Sequence, residues 1–196
     1  YLGINSLTQL SKMLLRNKVL SDLDLSMTEI TADTIEPMIV GLSANQTLRV
    51  LNLSNNNIQS KGSILVFSNC VNSQLEELYF SNNLIKDDIA PYVDNFLKQN
   101  RSVKILDLSG NQLTHRFTTI ISSSLGSGST LEGLNLSRNP IGARGIIPLG
   151  SALAKNKSLK KLSIYGCKIQ TSGFVTFCKQ MQNNTSLVIF ECQKNP

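Results

Sequence analysis

The side chains able to do covalent or acid–base chemistry are few. The chain has four cysteines, Cys70, Cys167, Cys178 and Cys192, and a single histidine, His115. No two cysteines form a CxxC pair, and His115 lies far from all four in sequence. The spacings that clamp zinc are therefore missing. One imidazole can serve as a general base, but no nucleophile elbow or activated-cysteine motif accompanies it. Glycine-rich phosphate loops and the HExxH zinc motif are absent as well. Asp87 and Asp88 suit the first turn of a helix, where carboxylates complement the dipole, better than a pocket of paired acids. These residues predict no catalytic group, no metal and no cofactor. Cysteines in a chain of this size are expected to be reduced and structural.

What must position these side chains is an internal repeat. One pattern recurs: apolar, two variable, apolar, one variable, apolar, two variable, Asn, one variable, apolar. Its clearest copies begin at Leu48 (LRVLNLSNNNI), Val103 (VKILDLSGNQL) and Leu131 (LEGLNLSRNPI). Further copies start at Leu20, Leu75, Leu159 and Leu187, so successive steps are 28, 27, 28, 28, 28 and 28 residues. This pattern resembles the ribonuclease-inhibitor class of leucine-rich repeat. The resemblance spans residues 1–196 and implies one α/β solenoid: a curved horseshoe with parallel strands on the concave face and helices on the convex face.

The residues give the same picture independently. In the copy at Val103, Leu106 and Leu108 fall on one side of an alternating segment and Ile105, Asp107 and Ser109 on the other, which is a strand. Ile146, Leu149 and Leu153 recur at helical spacing, as do Ile35, Met38 and Leu42, and Phe174, Phe177 and Met181. A helix is about 10 Å wide and paired strands are about 4.8 Å apart, so the stack bends with its strands inside. Pro37, Pro91 and Pro148 are expected near helix starts, and Gly62, Gly145 and Gly173 in turns before helices. Asn17, Asn45, Asn72, Asn100, Asn156 and Asn184, with Gly128, share a column expected to end helices in the left-handed conformation.

The ninth template position carries Asn56, Asn83, Asn111, Asn139 and Asn195, with Thr28 and Cys167 in the same column. These asparagines are expected to form a structural ladder satisfying backbone groups where the chain leaves the strand. Asn-x-Ser/Thr triplets such as Asn45-Gln46-Thr47 arise from the repeat and need not mark glycans.

Solenoids engage partners on the concave surface. The exposed strand positions there are the third, fifth and seventh, and the expected partner-contacting residues are Asp24, Val50, Asn52, Glu77, Tyr79, Ile105, Asp107, Asn135, Arg138, Lys161 and Tyr165. Tyr79 and Tyr165 are rigid anchors of a type enriched in hot spots. Charge divides along the chain, with Asp22, Asp24, Glu76, Glu77 and Asp107 early and Arg138, Lys160 and Lys161 late.

The net charge is +6 but the basic residues are scattered, which argues against nucleic acid. No run of 18 apolar residues is present, so no membrane span is expected. The chain begins and ends inside repeats, which suggests a piece of a longer array without true caps. A cytoplasmic adaptor that binds a protein partner follows from the resemblance. Other roles in similar families are GTPase activation, regulation of the actin cytoskeleton, and innate-immune sensing or microbial effector activity.

Overall fold

A computed structural model describes residues 1–196. Seven strands, β1 Asp22–Asp24, β2 Val50–Asn52, β3 Glu77–Tyr79, β4 Ile105–Asp107, β5 Gly133–Asn135, β6 Lys161–Ser163 and β7 Ile189–Glu191, form one sheet in sequence order. All six pairings are parallel and hold the template in register, so Asp22, Val50, Glu77, Ile105, Gly133, Lys161 and Ile189 form one row. The return segments carry α1 Ile4–Arg16, α2 Ala32–Ile35, α3 Ile39–Ala44, α4 Gln59–Asn69, α5 Ala90–Gln99, α6 His115–Gly126, α7 Gly142–Leu153 and α8 Thr171–Met181. This is the α/β leucine-rich-repeat solenoid.

The core is a single aliphatic column between sheet and helices. The fourth and sixth template positions bury Leu51, Leu53, Leu78, Phe80, Leu106, Leu108, Leu134 and Leu136, and the helices add Ile35, Met38, Phe96, Ile121, Ile146 and Leu149. Aromatics concentrate in two places. Phe67 stacks on Phe80 at 5.2 Å and meets Phe96 edge-on at 5.4 Å, and Phe177 stacks on Phe190 at 5.3 Å.

Three local expectations are corrected. Asn17, Asn45 and Asn100 do not turn left-handed; their backbone is extended, with φ near −70° and ψ near +130°. The side chain does the work instead. The Asn45 amide donates to Leu14 O at 2.8 Å, while its Oδ1 accepts from the N–H groups of Thr47 and Leu48 at 2.9 and 2.7 Å. Asn100 and Asn156 repeat this arrangement, and Asn184 does so near the C-terminus. Asn72 is exposed, and only Gly128 in that column has positive φ. Buried with their amides engaged, Asn45 and Asn100 offer nothing to a glycan.

Pro148 lies inside α7, unlike Pro37 and Pro91, which sit at the first turns of helical segments. Gly62, Gly145 and Gly173 also lie inside helices, not in turns before them. They let neighbouring helices approach. A Cβ at Gly173 would come within 2.7 Å of the Ala143 Cα, and one at Gly145 within 2.9 Å of the His115 Cα. In the repeat that begins at Leu20, Pro37 helps divide the return into α2, a 3₁₀ turn Glu36–Met38 and α3.

The four thiols are free. Burial pushes Cys70 up to about 12 and Cys167 up to about 11, while Cys178 is exposed. Because the thiolate is the nucleophile, iodoacetamide at neutral pH is expected to label Cys178 first and to leave Cys70 and Cys167 unmodified until the chain unfolds. Peptide mass mapping of the native protein checks this; early labelling of Cys70 would contradict the packing.

Candidate functional site

The strand face is shaped first by two asparagine-type columns at its edge. At the ninth position each side chain joins two repeats. Asn111 donates to Phe80 O at 3.0 Å in the preceding repeat and to Leu108 O at 2.9 Å in its own, while its Oδ1 accepts from the N–H groups of Asn83 and Ile85, both at 3.0 Å. Asn56, Asn83, Asn139 and Asn195 make equivalent bridges. Thr28 donates its hydroxyl to Leu25 O, and Cys167 donates its thiol to Leu136 O at 3.1 Å, so both replace the amide donor only. Immediately before this column, the eighth position is left-handed in every copy: Met27, Asn55, Asn82, Gly110, Arg138, Gly166 and Lys194. At Gly110 a Cβ would meet the Asn82 Oδ1, the end of an exposed side chain.

The fifth position has a structural duty of its own. Asp24, Asn52, Asp107 and Asn135 each accept, through Oδ1, the N–H of the serine two residues on, at 2.8 to 3.0 Å. The serine column Ser26, Ser54, Ser109 and Ser137 therefore marks the strand exit. Asp24 is held below the usual carboxylate range chiefly by the Ser26 N–H.

Asp24, Val50, Asn52, Glu77, Tyr79, Ile105, Asp107, Asn135 and Lys161 lie together on the strand face; Arg138 and Tyr165 lie at the edge where the strands end. Tyr165 is flanked by two cations, with Arg138 at 5.8 Å and Lys194 at 5.5 Å from its ring. Across β3 to β7 runs a hollow of about 490 Å³. Its floor is Gly133, whose missing side chain leaves a gap between Ile105 and Lys161 in the third row. A Cβ there would meet only Ile105, at 3.6 Å, so the gap has room for a side chain.

The charges do not form a simple gradient. At the second position Arg49, Glu76, Lys104, Glu132 and Lys160 alternate in sign along the stack. Glu76 pairs with Arg49 at 3.7 Å and Lys104 at 2.5 Å, and Glu132 pairs with Lys160 at 2.8 Å. Lys161 pairs with Glu191 at 3.1 Å. The late lysines are thus answered by carboxylates, whereas Asp22, Asp24, Glu77 and Asp107 form no ion pair.

Tyr79 donates its hydroxyl to Glu77 at 2.5 Å. Burial, then this bond, push the phenol up to about 12. The neutral phenol is therefore favoured by folding. That stabilisation is complete below the ordinary tyrosine range near pH 10 and is lost as pH rises through about 12. In an ultraviolet tyrosinate titration one of the four tyrosines is expected to ionise late, and Glu77→Gln should bring it earlier; four coincident titrations would contradict the contact.

Sequence reading placed the third and fifth positions on this face but missed the Gly133 hollow, the alternating second position and the strand-exit role of the fifth. The alternation was available once the repeats were aligned.

Three stretches, residues 44–64, 99–115 and 129–150, match a family model described as Leucine Rich repeat. No curated protein matches the chain. Among solved structures, Leiomodin-1 Actin-Binding Site 2 is similar over 90% of this chain and 87% of its own length, with a TM-score of 0.57 and 16% identity. The tropomodulin C-terminal domain of Caenorhabditis elegans covers 91% of this chain and 92% of its own, with a TM-score of 0.55 and 12% identity. At such identities the likeness is one of fold. No helix is long and apolar enough to cross a membrane.

Proposed function

We propose that this leucine-rich-repeat chain binds a protein partner on its strand face and acts as a scaffold without catalysing a reaction. The observation that carries the reading is the hollow over Gly133, walled by Tyr79 and Ile105 on one side and Lys161 on the other. An aromatic and an aliphatic side chain, half-buried beside polar groups, suit a contact patch. A deep pocket with convergent acid–base groups, which small-molecule catalysis prefers, is not what supports this reading. The strand face spans roughly 30 Å at about 4.8 Å per strand, enough for a partner burying about 800 Å². A nucleic acid is disfavoured because the unpaired charges on this face are carboxylates. The 27–28-residue step favours the ribonuclease-inhibitor subtype, and a cytoplasmic setting, where thiols stay reduced, belongs to the same proposal.

The test is capture of partners by wild type, by a Tyr79→Ala/Ile105→Ala strand-face variant and by a Val40→Ala/Val175→Ala helix-face variant. Actin is the defined probe to titrate alongside, because one protein of similar fold, Leiomodin-1 Actin-Binding Site 2, is an actin-binding site. A partner lost only with the strand-face variant supports the proposal. A partner lost only with the helix-face variant overturns it.

A further inference from the structure

In four copies the fifth template position supplies a hydrogen-bond acceptor at the strand exit, and it does so with or without a charge. Asn52 and Asn135 meet the N–H of Ser54 and Ser137 at 3.0 Å, and Asp24 and Asp107 meet Ser26 and Ser109 at 2.8 Å with the same geometry. Asparagine therefore suffices for the strand-exit bond. The second oxygen of Asp107 accepts from the Asn135 amide at 2.9 Å, and Asn52 lies likewise against Asp24, but both partners are neutral and no lysine or arginine neutralises either aspartate. Glu77 is likewise unpaired and is spent on the Tyr79 hydroxyl.

The imbalance extends across the face. From the second to the seventh template positions four cations, Arg49, Lys104, Lys160 and Lys161, face seven carboxylates. The other fifteen of the nineteen cations and six of the thirteen carboxylates lie elsewhere. A chain of net charge +6 thus turns a net negative surface inward. The hollow over Gly133 continues the same face; its floor is the glycine beside Ile105, and Glu77, Asp107 and Lys161 stand around it.

Resting on the strand-face reading above, we infer that the occupant is a basic polypeptide segment that runs across the strands, sets cationic side chains against Asp24 and Asp107, and drops an apolar side chain into the hollow over Gly133. Asp24 on β1 and Asp107 on β4 are three strand spacings apart, about 14 Å. That matches about four residues of extended chain. The hollow is centred one strand further, one or two residues on. The segment recognised therefore carries Lys or Arg at two positions about four residues apart, followed or preceded by Leu, Ile, Met or Phe.

The experiment is selection of a displayed library of random twelve-residue peptides against the whole chain, followed by titration of one selected peptide. Enrichment of peptides with that spacing supports the inference. So does loss of affinity by about tenfold or more in Asp24→Asn/Asp107→Asn, together with a similar loss in Gly133→Leu. The aspartate substitutions keep the strand-exit acceptor, as Asn52 and Asn135 do, but Asp107→Asn gives up the acceptor for the Asn135 amide. Gly133→Leu enters open space. Retained folding is therefore checked by circular dichroism, and Asp24→Asn alone is titrated beside the double variant. Enrichment of acidic or neutral peptides, no enrichment at all, or affinity unchanged in both variants overturns it. An acidic partner cross-linked to the strand face would sink this inference while leaving the proposed function standing.

Discussion

Replacing Asn111 with alanine is expected to destabilise the chain by about 2–5 kcal/mol. Asn111 is buried, and its one side chain accepts from two buried N–H groups and donates to carbonyls in two successive repeats. Alanine fills none of these roles. The N–H groups of Asn83 and Ile85 would be left without an acceptor, and each buried unsatisfied group costs about 1–3 kcal/mol. The effect should also be structural in kind. A solenoid's stability is a sum of repeat and neighbour-interface terms, and this side chain belongs to an interface. Urea unfolding of Asn111→Ala should therefore show both a lower midpoint and a shallower slope, as the halves begin to unfold separately. The neighbouring Gln112→Ala is the control, because Gln112 is exposed and a surface change of this sort stays within about 0.5 kcal/mol. If the two variants unfold alike, the column at the ninth position does not hold the stack together.

The second large effect is expected at Phe67. Its ring is buried and lies 5.2 Å from the ring of Phe80 and 5.4 Å from that of Phe96. It joins α4, β3's exit and α5, three elements from two repeats. Phe67→Ala is expected to cost about 3–5 kcal/mol, the usual toll of deleting a packed aromatic and leaving a cavity. The rest of the core is chiefly aliphatic, so no neighbouring ring besides these two can close the gap. Phe67→Leu should recover much of that loss. Thermal unfolding distinguishes the cases: Phe67→Ala should melt well below Phe67→Leu. Equal melting temperatures for the two variants would mean that refilling the space recovers nothing and would contradict the cavity account.

These two predictions concern residues of different legibility. Asn111 was readable because it recurs at a fixed position in a repeat, and a recurring polar residue in an apolar frame implies a recurring buried partner. The strand positions were readable for a similar reason: Leu106 and Leu108 alternate with Ile105 and Asp107, and period two has one structural meaning. Phe67 belongs to no column of the template, and its importance lies in meeting Phe80 and Phe96 across repeats. The helix-end asparagines misled because asparagine has two ways to finish a helix. Its backbone can turn left-handed, or its side chain can cap from an extended backbone, and Asn45 and Asn100 take the second. Gly173 misled in a comparable way, since glycine serves close helix approach as well as turns.

The functional face was legible in outline only. Alternation placed Tyr79, Asp107 and Lys161 on the same side, but side-chain height decides where a hollow forms. Gly133 is informative only when seen between Ile105 and Lys161. Charge was misleading until pairs were known. Lys160 and Lys161 looked like a basic end, yet each lies against a carboxylate of the adjacent repeat. Pairing cancels that basic end and leaves the early carboxylates, Asp22, Asp24, Glu77 and Asp107, as the unpaired charge of the strand positions.

The central claim is that a partner covers the strands and not the helices, and lysine footprinting tests it most directly. Lys104, Lys160 and Lys161 lie beside the hollow, while Lys61, Lys98 and Lys179 lie on α4, α5 and α8. Acetylation of the chain with and without its captured partner reads all six at once. The account predicts that the partner shields Lys104, Lys160 and Lys161 and leaves the helix lysines as reactive as before. Shielding of Lys61, Lys98 and Lys179 with the strand-side lysines still reactive would contradict it.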